Sequence, residues 1–308
     1  MLSITLRDHA MTFETIRYEI VDGVARICLN RPEHRNTMNV PMMRDILSAL
    51  DLADTDDAVR VILFHGAGRM FCAGADLSAG GETFDYDSRS GGSTGPVRAD
   101  GSIDYAHPEV RDGAGLMTLR IFKATKPVIA AVHGAAVGVG TSLITAMDAR
   151  FAADNTKFGF VFTRRGIVPE GASTWFLTRQ VGIGTALDWC LSGRVFPAQE
   201  ALEKGFVRSL HPEDQVLDAA MDYAREIAAH TAPVSVALTR QMLWRMAGAD
   251  HPMMAHRLDS RGVYVRGRMA DAREGVTSFL EKRAPRFTDR VSTDMPDFYP
   301  WWDEPDYS

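Results

Sequence analysis

Three times this chain sets a short apolar run before a turn and then a stretch with helical spacing, at 24–52, 60–78 and 127–148. Recurrent strand, turn and helix units predict an α/β protein, because each apolar strand needs a helix laid against it. The third unit says most. Pro127 to Val132 reads as a buried strand, Gly138-Val139-Gly140 as a turn, and Ser142 to Met147 as an apolar helix. Glycine on either side of one residue leaves a backbone N–H bare at a helix start, where negative charge is favoured. A second turn, Cys72-Ala73-Gly74-Ala75-Asp76, follows the strand Val61 to Phe64 and reads the same way, as a strand-to-helix turn. Either turn alone is an ordinary connection. Two bare N–H groups converging on one oxygen make an oxyanion hole.

Composition narrows the classes. Of 308 residues, 45% are hydrophobic and 24% charged, as in a globular protein with a full core. No run reaches the roughly 18 apolar residues of a membrane span. Met1 to Met11 carries Arg7, Asp8 and His9 with no apolar centre, so it does not read as a signal peptide. The net charge of −6 argues against a general nucleic-acid binder. Three cysteines, Cys28, Cys72 and Cys190, lack paired spacing, which suits a cytoplasmic chain with neither disulfides nor structural zinc.

Elsewhere the pattern is simpler. Phe13 to Ile20 and Val24 to Leu29 read as a hairpin about Val21-Asp22-Gly23. Asn39 caps a helix with Pro41 in its first turn and a stripe at Met43, Ile46, Leu47 and Leu50. Ser78 to Asp112 is rich in Gly, Ser and Asp and reads as a long loop. Ala149 to Ala153 and Lys157 to Phe162 read as further strands. Beyond Gly171 the chain turns mostly helical, with one stripe at Leu217, Ala220, Met221, Ala224 and Ile227 and another at Leu238, Met242 and Met246. The aromatic run Tyr299-Pro300-Trp301-Trp302 predicts a docked tail.

Four phrases resemble the crotonase superfamily of enoyl-CoA hydratases and isomerases. Leu29-Asn30-Arg31-Pro32-Glu33-His34-Arg35-Asn36 is similar to its LNRPxxxN start, and Gly66 to Leu77 to its GxGRxFCAGADL turn. Lys126 to Gly140 resembles its KPVIAAVxGxAxGxG segment, and Ala201 to Val207 its EAxxxGLV helix end. The resemblance covers roughly 13–290. It implies a ClpP-like spiral of repeated ββα units with a C-terminal helical region used in trimerisation. The expected division is 1–210 for the core with the CoA and active site, and 211–308 for the helical region and tail. It also implies a coenzyme A thioester as substrate, no permanently bound cofactor, no metal, no nucleic-acid or membrane partner, and a homotrimer or dimer of trimers. By motif position, the oxyanion-hole donors are the N–H groups of Ala75 and Val139.

The sequence departs from the family's hydratases at both of their glutamates. One position, two residues after the GxG turn, holds Ser142. The other closes a Phe-Gly-x-Pro-Glu phrase and here is Phe162. Neither side chain exchanges a proton as a carboxylate does. Gly166-Ile167-Val168-Pro169-Glu170-Gly171 resembles instead the Δ3,Δ2-enoyl-CoA isomerases, which carry one catalytic Glu in a PEG or TEG phrase. By itself Glu170 is an acid at the start of a helix read as Ala172 to Gln180, where acids are common. Beside the family phrase it is the candidate base. Helix N–H groups would hold it ionised while burial against acyl carbons would raise its pKa.

The reading therefore favours shifting a C3 double bond to C2 through a thioester enolate. Hydration using Glu170 and water, and a non-catalytic acyl-CoA- or RNA-binding scaffold, are the alternatives. Further substrate-contact candidates are Arg35 and Lys282 for CoA, Ala73, Asp76, Leu77 and Gly138 around the turns, and Phe162 and Trp175 with Phe160 for an apolar acyl pocket shaped by the 78–116 loop. Asp148 and His133 read as structural.

Overall fold

The computed structural model describes residues 12–86 and 95–307. The N-terminal stretch read above, Met1 to Met11, and the central part of the long loop, 87–94, lie outside the described residues.

A hairpin opens the fold. β1 (Ile16–Val21) and β2 (Val24–Leu29) pair antiparallel with Val21 opposite Val24, so only Asp22 and Gly23 form the turn. Both take positive φ, 53° and 76°, which matches the twist of a two-residue hairpin. β1 begins at Ile16, not Phe13, because the Thr15 N–H and hydroxyl both donate to Asp45 instead of a neighbouring strand. α1 (Val40–Thr55) starts as expected, with the Asn39 side chain accepting from the Met42 N–H at 3.0 Å. It buries Met42, Ile46, Ala49, Leu50 and Ala53.

The main sheet continues with β3 (Val61–Gly66) and β4 (Val128–Val132). Between them comes α2 (Gly113–Lys123). β5 (Ala135–Val137), α3 (Val139–Thr145), β6 (Ala149–Ala153) and β7 (Lys157–Gly159) follow. Then come α4 (Ser173–Ser192), β8 (Val195–Pro197), α5 (Ala198–Glu203) and β9 (Ser209–His211). The large sheet has the order β1-β2-β3-β4-β6-β9 and is parallel after its first hairpin. A small second sheet has the order β5-β7-β8.

Strands buried on both faces explain the unbroken apolar runs. On β3, Ile62 and Phe64 enter the main core while Val61 and Leu63 face the other way. That second face is covered by α6 (Val216–His230), which buries Val216, Ala220, Met221 and Ala224. α7 (Pro233–Met246), α8 (Pro252–Arg266) and α9 (Ala270–Glu281) complete the helical part. The aromatic tail is docked: Glu304 pairs with Arg245 and Lys123, and the Arg245 guanidinium lies 3.3 Å from the Trp302 ring centre.

Three further expectations are corrected. Among the described residues no α-helix follows the turn after β3; the chain runs on in isolated bridges, Cys72 to Ala136 and Ala75 to Met38, and then a short 3-10 turn at Gly80–Glu82. The next α-helix among the described residues is α2, capped by Asp112. β7 stops at Gly159 rather than Phe162, which opens a short 3-10 turn at Thr163–Arg165. α4 begins at Ser173 and runs well past Gln180, bending at Gly182, whose φ and ψ of 75° and 160° are not helical.

Candidate active site

The two glycine-rich turns meet. Cys72 donates to Ala135 and accepts from Val137, which clamps the segment after β3 along β5. On its other side, Met38 donates to Gly74 and Asp76 donates to Met38. Those two bonds flank Ala75, so in a parallel bridge the Ala75 N–H points away from Met38. Val139 is the first residue of α3, where an N–H has no carbonyl one turn back. Both residues line a cavity of about 460 Å³.

Glycine is required here by close approach as well as by φ. A Cβ on Gly140 would sit 2.6 Å from the Cys72 carbonyl oxygen, and one on Gly138 would touch the Gly74 Cα at 3.8 Å. Gly138 also has φ of 55° and ψ of −124°, a conformation open only to glycine. The two turns are pressed together backbone to backbone, which brings Ala75 and Val139 to one wall.

Glu170 stands on the same cavity, half-buried. Its backbone is pinned by Ser173, whose N–H and hydroxyl both donate to the Glu170 carbonyl, at 3.1 and 2.7 Å. Gly171 and Ala172 follow with φ of 68° and 48°. Burial, with the Asp112 charge second, raises the Glu170 carboxyl from its ordinary 4.5 to about 7. Of the two opposing influences expected, burial wins over the helix start.

Of the other candidates, Asp76 lines the cavity and is already engaged. It accepts from Arg31 and from the Ser78 N–H, both at 3.1 Å. Partial burial works to raise its carboxyl, but these hydrogen bonds outweigh that and hold it below the usual range. Gly138 and Ala73 lie off the cavity wall and their N–H groups are engaged, Gly138 donating to the Gly159 carbonyl at 2.8 Å and Ala73 to the Arg35 carbonyl at 3.1 Å. Arg35 and Leu77 are exposed near the turns but off the cavity wall. Lys282 is exposed at the end of α9, where it closes the helix in a left-handed conformation.

The structure does not bring the three aromatics to the cavity. Phe162 is 3% exposed within the main core, and Phe160 stacks on Trp189. Trp175 packs edge-on against Phe122 and Phe176 and carries Arg179 over its ring. The cavity's apolar wall comes instead from Met38, Met43, Ala114 and the loop residue Phe84. Ser142 is fully buried, its hydroxyl without a hydrogen-bond partner among the described residues. His133 and Asp148 are structural, as expected. His133 contacts the Gly68 carbonyl, while Asp148 accepts from Val128, Arg240 and Trp244.

Two further residues, absent from the sequence candidates, lie at the cavity or beside Glu170. Arg31 lines the cavity, held by Asp76 and the Thr37 carbonyl. Asp112 caps α2 and reaches Gly171, next to Glu170. The cap was legible in Asp112-Gly113-Ala114-Gly115; the link to Gly171 was not. Larger cavities elsewhere, of about 600 and 640 Å³, do not bring a perturbed carboxylate beside two free N–H groups. Among the described residues, no group of three or more His, Cys, Asp or Glu side chains could hold a metal ion, and no helix is long and apolar enough to cross a membrane.

A carboxylate poised near neutrality, facing a pair of free N–H groups, can remove a proton beside a carbonyl while the oxygen's new charge is stabilised. Known proteins resemble this chain over most of its length. The family profile described as enoyl-CoA hydratase/isomerase matches residues 19–96 and 97–290. Enoyl-CoA hydratase ACTT3 of Alternaria alternata is 39% identical over 271 residues, covering 88% of this chain and 84% of the relative. The 1,2-epoxyphenylacetyl-CoA isomerase of Escherichia coli (strain K12) is 35% identical over 280 residues, covering 89% and 98%. Among solved structures, a probable enoyl-CoA hydratase/isomerase from Mycobacterium abscessus superposes with a TM-score of 0.78 at 33% identity, covering 89% of this chain and 99% of that one.

Proposed function

The chain belongs to the enoyl-CoA hydratase/isomerase family, and we propose that within it the protein moves the double bond of a 3-enoyl-CoA from C3 to C2. Glu170 is the base. Its carboxylate takes a proton from C2, and the C–H electrons form an enolate conjugated with the C3 double bond. The thioester oxygen's charge falls on the Ala75 and Val139 N–H groups. Protonated Glu170 then returns the proton at C4, leaving the double bond at C2. No water, oxidant or second acid enters the balance.

One observation carries this reading: a single carboxylate, raised to about 7, shares the cavity with both N–H groups, while Asp76 is committed to Arg31. Ser142 and Phe162, in the hydratase positions, offer no second acid. Hydration by Glu170 and a bound water is the second reading, favoured by the name of the Alternaria relative. Separate incubation with 3-enoyl-CoA and 2-enoyl-CoA, followed by mass spectrometry, divides the two. Isomerisation leaves the mass unchanged; hydration adds one water.

The acyl-CoA substrate, a homotrimer or dimer of trimers, and a cytoplasmic setting belong to the same proposal. Exposed apolar residues on α8 and α9, among them Val263, Phe279 and Leu280 at 74%, 80% and 72% exposure, support the assembly. Three free cysteines support the setting.

A further inference from the structure

The turn that carries Glu170 is held from outside its own segment. Asp112 Oδ1 accepts from the Gly115 N–H at 2.7 Å, capping α2, and from the Gly171 N–H at 3.3 Å. Gly171 is pressed onto α2: a Cβ there would lie 3.3 Å from the Ala114 Cβ and 3.3 Å from the Ser142 Cβ. One carboxylate thus ties the start of α2 to the residue that follows Glu170. The start of an eleven-residue helix also favours a negative charge at that place.

We propose that Asp112 is a positioning residue for Glu170: it fixes the Glu170-Gly171 turn against α2 and keeps a second negative charge beside the base. The inference rests on the reading of Glu170 as that base. Two titratable groups face Glu170 from neighbouring elements, Asp112 on α2 and the Cys72 thiol on the segment after β3. Burial pushes the Cys72 thiol up to about 11, so it stays neutral while Glu170 titrates. Across the cavity, Asp76 is neutralised by Arg31 at 3.1 Å. Asp112 is therefore the neighbouring charge that makes Glu170 a stronger base than burial alone would.

This role separates from simple helix capping. Asp112→Asn keeps an oxygen that can accept both N–H bonds but removes the charge. Asp112→Ser is a second uncharged cap, in case the amide disturbs the turn. The measurement is the pH profile of kcat/KM on the substrate that the wild type converts, with Glu170→Gln alongside.

With the charge gone, the acidic limb moves to lower pH by roughly half a unit to one unit, a three- to tenfold gain in base form on that limb. The plateau falls, because a weaker base removes the proton more slowly. If Glu170→Gln is inert and the limb stays in place in both Asp112 variants, Asp112 is only a cap and the inference is overturned while Glu170 stands. If Glu170→Gln keeps full activity, the reading of the base fails and this inference falls with it.

Discussion

Replacing Glu170 with glutamine changes more than the chemistry, because a carboxyl raised from 4.5 to about 7 opposes folding at neutral pH. The sign follows from proton binding. Between those two values the folded state holds a proton that the unfolded state has released. The contribution of this group to stability is therefore most favourable below about 4.5 and is lost as pH rises through the folded value. Each unit of pKa difference is about 1.4 kcal/mol. From pH 5 to pH 8 the loss integrates to about 2.5 kcal/mol at most, and to about 1–2 kcal/mol once solvent screening of a half-buried group is allowed. Glutamine cannot titrate, so Glu170→Gln gains that amount relative to wild type between the two pH values. Urea unfolding of both proteins at pH 5 and pH 8, at one protein concentration, measures it; all other titrating groups cancel in the difference. A stability difference that is the same at both pH values would refute the assignment of a raised carboxyl at this site.

Other consequences follow from the packing of the turns. Gly140→Ala drives a Cβ to within 2.6 Å of the Cys72 carbonyl; calorimetry should show a loss of about 1–3 kcal/mol or more, with activity falling as Val139 moves. Val139→Pro removes one donor at a helix position that tolerates proline, so kcat should fall by about 10²–10³ with an unchanged circular dichroism spectrum. A spectrum like wild type with full kcat would exclude this N–H from the oxyanion hole. Asp148→Ala leaves Arg240, which is 6% exposed, without its carboxylate partner. Thermal unfolding should record a loss of about 3–5 kcal/mol, lessened by the carbonyls of Ile121, Phe122 and Ala124 that Arg240 also holds.

What was legible in the sequence was local. The apolar run Val128–Val132 and the glycines at 138 and 140 foretell a buried strand and a bare helix start, and the structure has both. Ala75 is reached through the family phrase, yet its N–H is aimed by its own pairing with Met38 and by that of Cys72 with Ala136, partners that no local pattern reveals. That long-range pairing is also why the expected helix after β3 does not form. The Glu170 turn was visible, but not the contest that sets its proton affinity, since Asp112 lies 59 residues from Gly171. Phe162 and Trp175 were misplaced for a related reason. Their apolar character says that they are buried, not against what, and here it is the main core and the Phe122 and Phe176 rings.

Turnover of 3-enoyl-CoA by wild type and Glu170→Gln, with the product weighed by mass spectrometry, tests the role of Glu170 directly. Isomerisation with Glu170 as base gives a 2-enoyl-CoA of unchanged mass from the wild type and a loss in kcat of about 10²–10⁴ in the variant. A variant that turns over as fast as the wild type, or a wild-type product heavier by one water, would contradict it.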